Sequence, residues 1–218
     1  MIRALSTSRI GKEWLEWMGR ECTQTLEYIE SNLMRAWNSG QCYPSAACAM
    51  LPFITLPRSK TRVVLICKEP YRSPTMACGI PVLSADGRQT PSSEIFKSLI
   101  GVYWDGVTQL NYMSLYYRSG ILVLNSSFTI APIEDDRYGL TESHFPLWTN
   151  FMVPFVRKLS EDGVPIVALG AESRGLIRGL VQGPKLIRCT FPSDNKSITE
   201  FMNVMTYVIS EYVFEVTP

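Results

Sequence analysis

Four short stretches carry the side chains that could do chemistry. Lys68-Glu69-Pro70-Tyr71-Arg72 sets one carboxylate between two cations. Asn125-Ser126-Ser127-Phe128-Thr129 opens with a carboxamide. Thr90-Pro91-Ser92 and Phe191-Pro192-Ser193-Asp194-Asn195-Lys196 put hydroxyls and N–H groups where helices are expected to open. Serines and backbone amides at helix starts, here Ser92 and Ser193, can hold phosphate oxygens. Lys68, Arg72, Arg174, Arg188 and Lys196 could add a local positive face to them. Ordinary solvated charge gives the same pattern, because 21 basic residues stand against 20 acidic ones for a net +1. Taken alone, Glu69 is equally a surface carboxylate pairing with Lys68 or Arg72. Tyr71 after Pro70 is equally a packing residue, and Asn125 a strand-end residue that binds its own backbone. Metal chemistry lacks donors. The cysteines at 22, 42, 48, 67, 78 and 189 form no CxxC pair, the one histidine is His144, and no Cys/His set has zinc spacing. No metal and no cofactor is expected. His144 has no acid or cysteine at a telling distance and reads as a surface or helix-start residue.

The elements that must position these groups follow from hydrophobic spacing. Leu15, Met18, Cys22, Leu26, Ile29, Leu33 and Trp37 recur at steps of three and four, one helical stripe that Gly40 can stop. Val63–Cys67 is a continuous β-branched run suited to a strand buried on both faces. Ser92 or Ser93 can cap a helix through Leu99, and a second short helix covers about 108–118. Ile121–Leu124 is the next strand and 125–144 a polar loop. Phe145–Leu159 reads as helix with Pro154 awkward in its interior. Val164–Leu169 is a strand, Glu172–Val181 a helix and Lys185–Thr190 a strand. Ser197 and Glu200 have the spacing of a capping box that opens a last helix to about Val213. Strands alternating with helices predict an α/β chain, a parallel sheet covered on both faces. Ligands then sit outside the carboxyl ends of the strands, where all four stretches fall.

Composition sets the outer bounds. At 218 residues, 46% hydrophobic and 19% charged, the chain is expected to form a single domain over 1–218, with a helical part at 1–60 and a sheet core at 61–213. A net charge near zero argues against a generally basic nucleic-acid coat protein and a polybasic membrane binder. No apolar run approaches the roughly 20 residues of a membrane span, and Met1–Arg20 has no secretory pattern. Cysteines in or beside apolar runs read as buried reduced thiols. The expected setting is a reducing one, nucleus or cytoplasm.

The order of these segments resembles the uracil-DNA glycosylase family. Arg62–Ser84 resembles the family's strand followed by GQDPYH and a small-residue stretch ending in GLAFS. Thr90-Pro91-Ser92 resembles its PPS loop. Gly120–Thr129 is similar to GVLLLNTVLTV, and Val164–Ala171 to the third strand ending in WG. Arg188–Ser197 sits where the family has HPSPLS. The resemblance runs from about residue 60 to 212. It implies a single-domain α/β/α sandwich with four parallel strands in the order 2-1-3-4. It also implies DNA as a partner, with Lys68, Arg72, Ser92, Ser193, Asn195 and Lys196 as candidate DNA contacts and Tyr71, Val82, Asn125 and Phe191 around the base.

The departures bear on the family's reaction, hydrolysis of an N-glycosidic bond after base flipping. Glu69 stands at the catalytic Asp position and Lys68 at the Gln before it. Arg72 takes the place of the following His. The uracil-stacking Phe falls on Val82 (or Leu83 with a one-residue slip), the catalytic His of the last loop on Phe191, and the intercalating Leu near Asn195. Tyr71, which blocks a thymine methyl in the family, and Asn125, which reads the uracil edge, are kept. Lost or strongly reduced uracil excision is therefore expected, with the fold retained as a DNA- or protein-binding component of replication or repair. Brevity and divergence fit a viral member serving a replication complex with a protein partner. A working divergent glycosylase, and a protein-interaction module without DNA contact, stand as alternatives.

Overall fold

A computed structural model describes residues 10–132, 143–179 and 185–214. Seven α-helices and four strands alternate in these residues: α1 Lys12–Asn38, α2 Leu51–Thr55, β1 Val63–Cys67, α3 Pro91–Gly101, α4 Tyr112–Arg118, β2 Ile121–Asn125, α5 Phe145–Glu161, β3 Ile166–Leu169, α6 Gly170–Leu176, β4 Leu186–Cys189 and α7 Asn195–Val208. The sheet is parallel in the order β2-β1-β3-β4, as expected. Every residue of β1, β2 and β3 is buried, so apolar runs without alternation are what a two-sided cover requires. None of the helices in the described residues is long and apolar enough to cross a membrane.

Local signals placed the helix starts less well than the strands. Thr90, not Ser92 or Ser93, caps α3: its hydroxyl accepts from Ser93 N–H while Ser93 Oγ accepts from Thr90 N–H. The last helix likewise opens three residues ahead of expectation. Asp194 and Ser197 form its box, and Glu200 instead accepts from the Thr190 N–H at 3.0 Å. In both cases Ser in the first turn competes as a cap, and the residue three places earlier wins. The helix expected to reach Val181 ends at Leu176, and Val181 lies outside the described residues.

The N-terminal helix is kinked at Gly19 (φ 74°, ψ −178°). Trp14, one turn before Met18, lies on the buried face, and Leu15 is half-buried at its edge. Leu26 and Leu33 are buried as the stripe requires. Against this helix lies an aromatic layer of Phe53, Phe128, Phe151 and Phe155 with ring centroids 5.2–6.5 Å apart. All six cysteines are free thiols; Cys22, Cys42, Cys67 and Cys189 are buried.

Burial refines two expectations on the segment after β2. Residues 126–132 form a loop, but 125–131 are all buried, because Phe128 enters the aromatic layer and Ile130 pairs with Tyr43 and Ser143; 133–142 lie outside the described residues. His144 takes the helix-start place, capping α5, and is buried instead of on the surface. Trp148 Nε1–H donates to Thr129 Oγ1 at 2.7 Å, and the Thr129 hydroxyl meets His144 Nδ1 at 2.9 Å. Burial pushes the His144 pKa from 6.5 down to about 4. A base depressed in this way stabilises the fold above pH 6.5, and that contribution is lost as pH falls toward 4, where the unfolded chain takes up a proton the buried ring refuses. Urea unfolding is expected to lose about 3 kcal/mol between about pH 7 and pH 4 from this group. The loss should be smaller by that amount in His144→Gln, and equal slopes for the two proteins would contradict this origin of the loss.

Candidate active-site cleft

The register of β1 and β2 puts Cys67 beside Asn125, and β3 ends next to them at Leu169. The segments that follow converge on a cavity of about 440 Å³. Lys68, Glu69, Tyr71, Val82, Ser92, Asn125 and Phe191 all line it. Its walls are mainly apolar, supplied by Pro70, Ile80, Pro81, Leu83 and Leu169 among others. Arg72, Ser193, Asn195 and Lys196 are not part of the lining. Ser193, Asn195 and Lys196 lie exposed around the start of α7. The Ser193 N–H, expected to face a phosphate, donates to Ser197 Oγ at 3.0 Å within the cap.

Charge in the cleft is paired. Glu69 Oε1 lies 3.1 Å from Arg72 Nη2 and 3.8 Å from Lys68 Nζ, with its side chain only 12% exposed. Lys68 Nζ also reaches Glu172 Oε1 at 3.1 Å. Burial raises the Glu172 pKa, but its backbone hydrogen bond and Lys68 outweigh that and hold it below the ordinary value. Two cations thus meet two carboxylates, and the positive face expected from Lys68 and Arg72 is largely neutralised at the cavity mouth. Glu172 carries no mark in the sequence; only the packing of α6 beside β1 brings it here.

The wall opposite is held in an unusual backbone conformation. Val82 has φ 66°, a region that a β-branched residue enters only under strain of about 1–3 kcal/mol. Two phenols hold it there. Tyr71 donates to the Val82 carbonyl at 3.1 Å and Tyr112, from α4, donates to the same oxygen at 3.0 Å, while Thr90 Oγ1 meets the Tyr71 hydroxyl at 2.9 Å. Burial pushes both phenol pKa values up, which keeps them protonated as donors. Gly79 lets the wall close: its φ is +86°, and a Cβ there would lie 1.8 Å from the Cys48 carbonyl oxygen. Tyr112 and Thr90 were not foreseeable from spacing, because their role is to fix a loop remote in sequence.

Asn125 is 3% exposed, and its Oδ1 is buried with no hydrogen-bond partner among the described residues. An orphaned acceptor of this kind costs about 1–3 kcal/mol, so a ligand N–H in the cavity would be recognised strongly. The adjacent Nδ2 donor lets one carboxamide address neighbouring donor and acceptor groups on a planar ring. Phe191 stands beside Gly170, half-buried, and offers an apolar edge with no donor. Among the described residues no group of three or more His, Cys, Asp or Glu could hold a metal ion.

No family model matches the chain. Curated relatives do. The uracil-DNA glycosylase of Campylobacter concisus is 26% identical over 165 residues, 72% of this chain and 68% of that protein. That of Clostridium beijerinckii is 28% identical over 141 residues, 62% of this chain and 59% of that protein. Among solved structures, wild-type UNG of Nitratifractor salsuginis superposes with a TM-score of 0.64 at 17% identity, covering 94% of this chain and 92% of that one. Mimivirus uracil-DNA glycosylase gives 0.60 at 19%, covering 86% and 73%. At these identities the structures establish the fold, and the sequence matches support a divergent relative of the uracil-DNA glycosylases.

Proposed function

We propose that this divergent relative binds DNA and takes a uracil-like base into the cleft, with N-glycosidic hydrolysis lost or strongly reduced. The observation that carries the reading is the pairing of Glu69 with Arg72 and Lys68 next to a cavity where position 191 offers no donor. A carboxylate engaged by two cations is poorly placed to hold an attacking water or to face a cationic sugar, and Phe191 cannot stabilise the departing base. Base recognition is supported separately. Asn125 presents an unsatisfied acceptor, and Tyr71 lines the same cavity, held through Val82 and Thr90. Contacts to the strand would come from Ser92 at the start of α3 and from Asn195 and Lys196 at the start of α7, with Ser193 offering its side chain. The proposed role is that of a DNA-binding component of replication or repair in a reducing compartment, which six free thiols fit.

Fluorescence anisotropy tests the binding half. A single-stranded oligonucleotide with one deoxyuridine should bind about tenfold tighter than its counterpart with an abasic site at that position, the yield of one satisfied amide–base pair. Asn125→Leu should erase the difference, and rising salt should weaken both. Absence of salt-dependent binding would leave a protein-interaction module instead. The second reading, an active glycosylase, is favoured by the retained Tyr71 and Asn125 pair, and release of free uracil during the titration would establish it.

A further inference from the structure

A second cleft lies at the other end of the sheet. Lys60 and Arg62 lead into β1 and Gly120 into β2, whereas the first cleft lies beyond Cys67 and Asn125. Four residue steps of about 3.3 Å put roughly 13 Å of sheet between the two. Lys60, Arg62, Arg118, Trp104 and Phe214 help to enclose about 500 Å³, and among the described residues no carboxylate lines this space.

Its cations are held in place without ion pairs among the described residues. Arg62 Nη1–H donates to the Val213 carbonyl at 2.8 Å. Its stem lies on Gly120, where a Cβ would stand 2.9 Å from Arg62 Cγ. The guanidinium is therefore held in place, with further N–H groups left to donate. Lys60 and Arg118 are exposed, and neither forms an ion pair among the described residues. The acid that feels Lys60 is Glu13, which lies outside the lining and accepts from the Ser59 N–H at 2.9 Å. Beside the cations stand Trp104 and Phe214, ring centroids 5.3 Å apart and tilted by 33°, with Phe214 41% exposed. Three positive charges without an ion-pair partner lining the space among the described residues repel one another until an anion arrives, and an open aromatic pair loses free energy to water until a flat ring covers it.

We propose that this cleft is a second binding site, for a nucleotide unit. The phosphate sits among Lys60, Arg62 and Arg118, and the base lies against Trp104 and Phe214. Basic grooves with stacking aromatics are how proteins take unpaired nucleotides. A free nucleotide and one residue of a single strand present the same groups. The assignment does not depend on what the first cleft binds.

Fluorine NMR of the full chain labelled with fluorotryptophan tests it, the Trp104 signal being identified by its loss in Trp104→Phe. Titration with dTMP and with an oligothymidylate should move that signal, and thymidine, lacking phosphate, should not. Lys60→Glu with Arg118→Glu should weaken the response at least about tenfold, and circular dichroism should show this variant folded. Response to the oligonucleotide alone makes the ligand a DNA strand, and response to dTMP alone makes it a free nucleotide. No movement of the Trp104 signal at millimolar ligand, or an unchanged response in the double variant, overturns the proposal. So does an acidic, tyrosine-containing peptide that moves the signal where both nucleotide ligands fail. Because Trp104 reports only this cleft, loss of binding at the first cleft leaves the result readable.

Discussion

Uracil release from a single-stranded oligonucleotide should be absent, or at least about 10³-fold slower than for a glycosylase with Asp, Phe and His at the positions of Glu69, Val82 and Phe191. The extra methylene of Glu69 moves its oxygens by about an ångström, enough to cost about a hundredfold. The ion pair with Arg72 at 3.1 Å then holds them there. Phe191 supplies no hydrogen bond to the departing base, a loss of roughly 2.7–4 kcal/mol in comparable sites. Val82 and Leu83 line the cavity without a flat ring, which removes about 1–3 kcal/mol of stacking. These losses need not add, but the first two together exceed the predicted factor. Glu69→Asp with Val82→Phe and Phe191→His should raise release by at least about tenfold, and adding Arg72→His, which frees the carboxylate, should raise it further. Val82→Phe must be accommodated at φ 66°, which the Tyr71 and Tyr112 donors to that carbonyl permit. Rapid release by the unmodified protein, abolished in Glu69→Gln, would show that Glu69 performs the work of the family's aspartate.

Trp14→Ala should cost about 3–5 kcal/mol of folding stability, a large share of the roughly 5–15 kcal/mol that holds a domain together. Trp14 is fully buried, and its Nε1–H donates to the Leu56 carbonyl at 2.7 Å. Its ring meets Trp17, Phe53 and Phe155 at 5.5, 5.2 and 5.9 Å. Arg58, paired with Asp162 at 2.7 Å, lies over the same two indoles. Removing the ring leaves a cavity where α1, α2 and α5 meet and orphans the Leu56 carbonyl. Trp14→Phe keeps most of the contact area and should cost about half as much or less. Urea unfolding measures both, and a loss below about 1 kcal/mol for the alanine variant would mean that the N-terminal helix is not integral to the core.

The sheet was legible because its strands are buried on both faces: Val63–Cys67 and Ile121–Leu124 are apolar without alternation, and few other local structures fit so short a run between turn residues. Helix starts were less so, since Thr90 against Ser92 and Asp194 against Ser197 are equally good caps in isolation. The stripe of α1 starts on Trp14 with Leu15 at its edge, because both stand one turn before Met18 and only packing against Phe53 and Phe155 chooses between them. His144 stands at the helix start, one of the two places expected for it, but a lone histidine has no pattern, and only the Thr129 hydroxyl and the cover above it make the site a buried one.

What the sequence by itself determined was the identity of the groups at the carboxyl ends of the strands, since chain order and strand spacing bring residues 68–72, 125 and 191 to one edge of any such sheet. What only the tertiary structure decided was the state of those groups. Glu172 from α6 meets Lys68, Arg72 turns back onto Glu69, and Tyr112 from α4 joins Tyr71 on the Val82 carbonyl. Such pairings depend on side-chain directions and helix packing a few ångströms across, to which residue order is blind. The same reason hid the second cleft: Lys60, Trp104, Arg118 and Phe214 are scattered over 155 positions of the chain and meet only where the amino ends of β1 and β2 face the last turn of the C-terminal helix.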